Sequence, residues 1–249
     1  NERVMINIRK LDAEAPDNLD KEEIRNLTLE MAEEIGHLQH IMYAERKKNL
    51  LVVLQGMDAS GKDGTTIAVF GRCAPTGIDV KAFKKPTEEE MSHDFLWRVH
   101  QHAPAKGMVM VFNRSHYEDI LIQRVHKWID EERVTKRMQA INAFEELLVF
   151  DNDTTILKFY LHMSMDEQRE ELQERIDDPL KRWKHNDNDW KESARWEEYM
   201  DCYEYILNNS KIPWHIIPAD NGWYRNYRVA QITLKTLKNM QLKLPGFKD

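Results

Sequence analysis

Cysteine is nearly absent from this chain of 249 residues: Cys73 and Cys202 are the only two, far apart in sequence. That excludes a disulfide framework and offers no thiolate spacing for a structural metal, so a reducing cytoplasm is the expected setting and both thiols are expected to be packing residues. Long hydrophobic runs are missing too. The opening Asn1-Glu-Arg-Val lacks the charged-then-apolar pattern of a secretory leader, so no membrane partner is expected. Positive charge is in deficit: 36 Lys and Arg face 43 Asp and Glu, a formal net charge of −7. General nucleic-acid binding needs a clustered positive field, so nucleic acid is not an expected partner. What remains is an ordinary globular composition, 41% apolar and 32% charged, long enough for one large α/β domain with a substantial core.

The periodicities alternate between helix and strand. Residues 1–19 carry mixed charge and Pro16 without a clear period, an arm expected to lie on the surface or on a partner subunit. Asp20-x-x-Glu23 then resembles a capping box, and Ile24, Leu27, Met31, Ile35, Leu38 and Met42 follow at helical spacing to about Lys48. Strands are expected at 50–55, 79–84, 107–112, 154–161 and 213–217, with helices between them. Among those helices are 65–72, a continuous one from Thr87 to about His102, two stretches broken near Asp130, and one capped by Ser164 running to Ile176. This order predicts a three-layer α/β sandwich, a five-stranded parallel sheet wrapped on both faces by helices in one domain. A polar insertion from Asp177 to Asp189 interrupts it, and its mix of cations suits a lid over about 175–195.

The strongest local signal is the run Leu50-Leu-Val-Val-Leu54 breaking into Gly56-Met-Asp-Ala-Ser-Gly-Lys-Asp-Gly-Thr65. Gly56, Gly61 and Lys62 fit the phosphate-loop spacing G-x-x-x-x-G-K, in which curled backbone N–H groups and the following helix dipole converge on an anion. Lys62 then reaches the phosphates. The pattern expects Ser or Thr after the lysine to hold magnesium; this chain has Asp63 there and a second acid, Asp58, inside the loop. The third strand ends in Asn113-Arg-Ser-His-Tyr-Glu-Asp119, where such enzymes place a metal-binding acid. Asn113 is a poorer ligand for a hard cation, which moves the metal burden to Asp58 and phosphate oxygens. Arg114 reads as a phosphate clamp, Ser115 either as part of that site or as a helix cap, and His116 as structural. Lys81, Lys84 and Lys85 form a track for a polyanion beside the loop. The tryptophans read as packing anchors.

Gly-Met-Asp-Ala-Ser-Gly-Lys-Asp-Gly, Phe-Asn-Arg-Ser-His-Tyr-Glu-Asp and Trp223-Tyr-Arg-Asn226 together resemble the polyphosphate kinase 2 family, from about Leu38 to the C-terminal helix. The resemblance implies a phosphate-loop kinase-like fold with a helical lid, and magnesium-dependent transfer of the terminal phosphate of inorganic polyphosphate to a nucleotide, with manganese as a substitute metal. It implies that Asp58 handles the metal and the acceptor phosphate while Lys62 and Arg114 hold the transferring group. Ala59, Gly61, Lys62, Asp63, Lys81, Lys84, Lys85 and Arg114 then bind polyphosphate. Asp58, Asn113, Arg114, Glu118, Arg175, Lys181 and Arg182 bind the nucleotide. Asn113 and Glu118 replace the aspartate and asparagine of the diphosphate-preferring branch and resemble the class III branch, which implies AMP to ADP to ATP, with guanine nucleotides as further substrates and a homodimer or homotetramer as the assembly. Two competing readings share the loop: a nucleotide kinase with ATP as donor, and a polyphosphate-binding scaffold without chemistry.

Overall fold

The computed structural model describes residues 5–247. Five strands, β1 (Asn49–Gln55), β2 (Ile78–Ala82), β3 (Val109–Asn113), β4 (Thr154–His162) and β5 (Trp214–Pro218), form one sheet in the order β2-β3-β1-β4-β5. All four pairings are parallel. Every residue of β1 is buried, as expected of a central strand covered on both faces. Its side chains divide by parity: Leu51 and Val53 enter one core, Leu50, Val52 and Leu54 the other.

Among the described residues ten α-helices accompany the sheet: α1 (Lys21–Glu45), α2 (Lys62–Phe70), α3 (Glu88–Ser92), α4 (Trp97–His100), α5 (Glu118–Val125), α6 (Glu131–Asn152), α7 (Met165–Asp177), α8 (Asp187–Ser193), α9 (Trp196–Asn209) and α10 (Gly222–Asn239). Helices α1, α2 and α10 supply Ile35, Met42, Val69, Val229 and Leu234 to one core; α5, α6 and α9 supply Ile120, Ile141 and Tyr203 to the other. The expected three-layer α/β sandwich is therefore present.

Several boundaries differ from the sequence reading for local reasons. Helix α2 begins at Lys62 rather than Thr65, because Gly61 at φ 82° turns the loop directly into the first helical bond, Thr65 N–H to the Gly61 carbonyl at 2.9 Å. Strand β2 stops at Ala82, which leaves Lys84 and Lys85 in a loop. The helix expected from Thr87 to His102 is two helices. Thr87 and Glu90 close a full capping box on α3, but the Asp94 carboxylate accepts from the Leu96 N–H at 3.0 Å and its carbonyl from the Trp97 N–H at 3.1 Å, restarting the chain as α4. The break near Asp130 is where expected, with Asp130 capping α6. Of the N-terminal arm, residues 1–4 lie outside the described residues; residues 6–9 run along α9, with Ile8 fully buried and Arg9 paired to Glu197 and Asp201.

Candidate active site

The carboxyl ends of β1 and β3 bring the two sequence motifs together. Between β1 and α2 the chain curls through Ala59 at φ 69° and Gly61 at φ 82°, and the end of β3 places Arg114 at φ 62°. Left-handed backbone is costly for Ala and Arg, and such strain collects at functional sites. The Arg114 N–H donates to the Leu54 carbonyl at 3.1 Å, while its guanidinium forms an ion pair with Asp58 in the loop. Asn113 donates through Nδ2 to Asp63. The loop acids are thus tied to the two residues that end β3.

Lys62 is buried and turned into the loop: Nζ donates to the carbonyls of Gly56 at 2.8 Å and Met57 at 2.9 Å, and to Ser60 Oγ at 3.3 Å. Burial, with the Arg114 cation adding to it, lowers its ammonium to about 8 against the opposing carboxylates of Asp58, Glu118 and Asp63. Glu118 is held by the Gln55 amide at 3.0 Å, and Gln55 also accepts from Ser115 Oγ at 2.9 Å. Burial pushes the Glu118 carboxyl up; Arg114, the Gln55 bond and Lys62 oppose it. Ser115 therefore links β1 to β3, and its Oγ also accepts from the Tyr117 N–H at 3.2 Å, so it is not a simple helix cap.

A cleft of about 530 Å³ opens over the loop. Its walls take Asp58 through Gly64, Asn113 and Arg114, with Lys84 from one side and Arg175 and Lys181 from the lid. Lys81, Lys85, Glu118 and Arg182 do not line it. Lys81 reaches over the Phe83 ring at 5.8 Å, Lys85 is exposed, and Arg182 is exposed with Nε donating to the Ile176 carbonyl at 2.9 Å. Within the lid, Arg175 pairs with Asp189 at 2.9 Å and Lys181 with Glu174. A larger hollow of about 1100 Å³ lies between residues 11–19 and the starts of α7 and α10, but Asp12, Glu14, Asp17, Asp166, Glu167 and Glu170 line it, so it repels phosphate.

Six cations line the smaller cleft, Lys62, Lys84, Arg114, Arg175, Lys181 and Lys184, against four carboxylates, Asp58, Asp63, Glu171 and Asp189. In a chain of net charge −7, that local excess focuses a polyanion onto the loop. Among the described residues no group of three His, Cys, Asp or Glu side chains is arranged to hold a metal. A hard divalent cation that binds through one or two carboxylates and substrate phosphates still fits a cleft lined by the loop carboxylates of Asp58 and Asp63.

His116 is fully buried, with Nε2 3.1 Å from Glu145 Oε1, and faces the core rather than the cleft, in keeping with a structural role. The sequence reading gave no role to Arg225, yet its Nε donates to Thr65 Oγ1 at 2.9 Å, and Asn226 Oδ1 accepts from the same hydroxyl at 3.0 Å. Trp223-Tyr-Arg-Asn226 was a signal of kinship; no local pattern places it on the loop.

A parallel α/β sheet with a phosphate loop at its carboxyl edge and a cation-lined cleft over that loop has the architecture of a phosphotransferase. The chain belongs to the polyphosphate kinase 2 family, whose model matches residues 18–245. It is 46% identical over 211 residues to an AMP/ADP-polyphosphate phosphotransferase of Meiothermus ruber, covering 84% of this chain and 79% of that one. It is 37% identical over 240 residues to an ADP-polyphosphate phosphotransferase of Rhodopseudomonas palustris, covering 90% and 83%. The crystal structure of polyphosphate kinase 2 from Arthrobacter aurescens TC1 superposes with a TM-score of 0.95 at 40% identity, over 99% of this chain and 90% of that one.

Proposed function

We propose that this chain transfers the terminal phosphate of inorganic polyphosphate to AMP and ADP, giving ADP and ATP. The observation that carries the reading is the cation-rich cleft on a phosphate loop whose Asp58 pairs with Arg114. The relatives named for AMP/ADP and ADP transfer support the acceptors. A phosphate oxygen of the nucleotide attacks the terminal phosphorus in line, the bond to the next phosphate of the chain breaks, and the shortened chain leaves. Positioning and charge neutralisation supply most of the catalysis.

Lys62, turning outward from the loop carbonyls, and Arg114 hold the equatorial oxygens. Asp58 orients Arg114 and would hold the metal; magnesium, or manganese in its place, would supply charge neutralisation at the phosphates when bound. Lys84, with Lys81 and Lys85 behind it, guides the donor chain. Arg175 and Lys181 close on the nucleotide, with Arg182 following as the lid moves, and Asn113 and Glu118 frame the acceptor end. The whole chain acts as one phosphotransferase unit, with residues 1–19 as its arm and about 175–195 as its lid. Guanine nucleotides are accepted beside adenine ones, and the chain works as a homodimer or homotetramer in the cytoplasm; two buried free thiols and no described helix long and apolar enough to cross a membrane accord with that setting. Incubation with polyphosphate, magnesium and AMP or ADP should yield ATP. Phosphorylation of AMP with ATP alone as donor, and none with polyphosphate, would overturn the reading.

A further inference from the structure

Arg225 comes from the first turn of α10, about 160 residues beyond the phosphate loop, yet its guanidinium rests against it. A Cβ placed on Gly61 would lie 2.2 Å from the Arg225 Cζ and 2.4 Å from its Nη2. Cβ atoms on Gly64 and Gly222 would stand 3.7 and 3.2 Å from the same Nη2. Gly61, and less tightly Gly222, thus leave room for one cation at the N-terminal end of α2, while Gly64 lies at ordinary contact distance.

The hydrogen-bond partners of that cation are neutral. Nε donates to the Thr65 hydroxyl at 2.9 Å and Nη1 to the Ala219 carbonyl at 3.3 Å. Glu171 and Glu167 act on it only through space, and burial outweighs them, lowering its affinity for the proton. A desolvated guanidinium without a carboxylate in its fork is costly unless an anion completes it. The loop acids are already engaged, Asp58 by Arg114 and Asp63 by Asn113. Arg225 stands against the loop at Gly61 without lining the cleft, beside the backbone whose N–H groups converge on phosphate.

We propose that Arg225 is an anion-binding residue of the phosphate loop, a fixed cation set behind Gly61 whose field and Nη2 donor hold the phosphoryl anion seated on the loop amides. It complements Lys62 rather than duplicating it. Lys62 must leave the Gly56 and Met57 carbonyls to meet phosphate, whereas Arg225 is held by the Ala219 carbonyl and by the Thr65 hydroxyl, which Asn226 orients in turn. The ligand class is a di- or triphosphate group, and either substrate could present it. This inference rests on the proposed function only for the identity of those substrates.

Calorimetric titrations of tripolyphosphate and of ADP into wild type, Arg225→Met and Arg225→Lys at several salt concentrations test it. In Arg225→Met the Kd of at least one of the two ligands should rise roughly tenfold or more, in line with loss of a preorganised charge donor. The slope of log affinity against log salt should fall by about one, and Arg225→Lys should keep that slope. The titration that weakens identifies whose phosphates sit on the loop. Unchanged affinity and slope for both ligands in Arg225→Met would overturn the proposal. So would an equal loss in Arg225→Lys, since that marks a packing role rather than charge; if Arg225→Met does not fold, Arg225→Lys alone decides by whether it keeps wild-type slope and affinity. If wild type makes no ATP from polyphosphate while tripolyphosphate binding still depends on Arg225, the proposed function falls and this inference stands.

Discussion

Burial holds the Lys62 ammonium near 8, below its ordinary 10.5, with the Arg114 cation adding to the effect. Between those two values the unfolded chain keeps a proton that the folded loop has given up, so this group's contribution to stability rises with pH across that window, and its penalty is fully present below about 8. Seating an anion on the loop favours the charged form, so binding should draw a proton onto Lys62. At about pH 9, tripolyphosphate titrated in two buffers of different ionisation heat should show proton uptake that Lys62→Met lacks. Equal uptake in both proteins would show that the proton goes elsewhere. Lys62→Met and Arg114→Met should each lower turnover roughly hundredfold to thousandfold, the cost of one preorganised donor, with little change in thermal midpoint. Near-normal rates in either would remove that residue from the chemistry.

Among the elements, β4, α6 and the turn between β3 and α5 meet around a buried charge network. Glu145 on α6 accepts from Lys158 on β4 at 2.6 Å and from the Tyr117 hydroxyl at 2.8 Å, and it lies 3.1 Å from His116 Nε2. Tyr117 and His116 directly follow the segment that carries Arg114, so the network anchors one wall of the cleft from within the core. Burial alone would raise the Glu145 carboxyl, but Lys158 and His116 hold it below the ordinary 4.5. Its stabilising contribution is therefore present above about 4.5 and lost as pH falls through the lowered value. Glu145→Gln removes the ion pair with Lys158 from the core and should cost about 3 kcal/mol in urea unfolding at pH 7. Its acid unfolding below the ordinary carboxyl range should also be shallower than that of wild type.

These contacts also mark how far the sequence could be read. The loop and the strands were legible because each is a local pattern: apolar runs, a Gly-x-x-x-x-Gly-Lys frame and capping residues. The split of α3 from α4 was not, because Asp94 is compatible with a helix until its side chain takes the Leu96 N–H. Glu145, Lys158 and Arg225 were illegible for another reason. Each acts through a partner distant in sequence, and a charged residue on a helix or strand reads as solvated until the tertiary fold surrounds it.

For the whole molecule, the N-terminal arm and the cleft are joined through the loop before α10. The Ala13 carbonyl accepts from the Asp220 N–H at 3.0 Å and the Ala15 N–H donates to Asn221 Oδ1 at 2.7 Å, just ahead of Arg225. Ile8 fixes the other end of the arm in the core. Ile8→Ala should cost about 3 kcal/mol by leaving a cavity, and lower the thermal midpoint by about 10 °C in a chain of this size. Turnover per folded molecule should be unchanged at 25 °C, since the described residues of the arm contribute no side chain to the cleft; a loss of turnover in fully folded Ile8→Ala would show that the arm tunes the loop before α10. The identity of the donor bears on every role assigned in the cleft, and it is decided by following ATP formation from ADP with magnesium and polyphosphate as the sole phosphoryl source. ATP accumulating in step with polyphosphate consumed, and abolished by Lys62→Met, is the expected result; no ATP from polyphosphate, with phosphorylation of AMP proceeding from ATP, would contradict it.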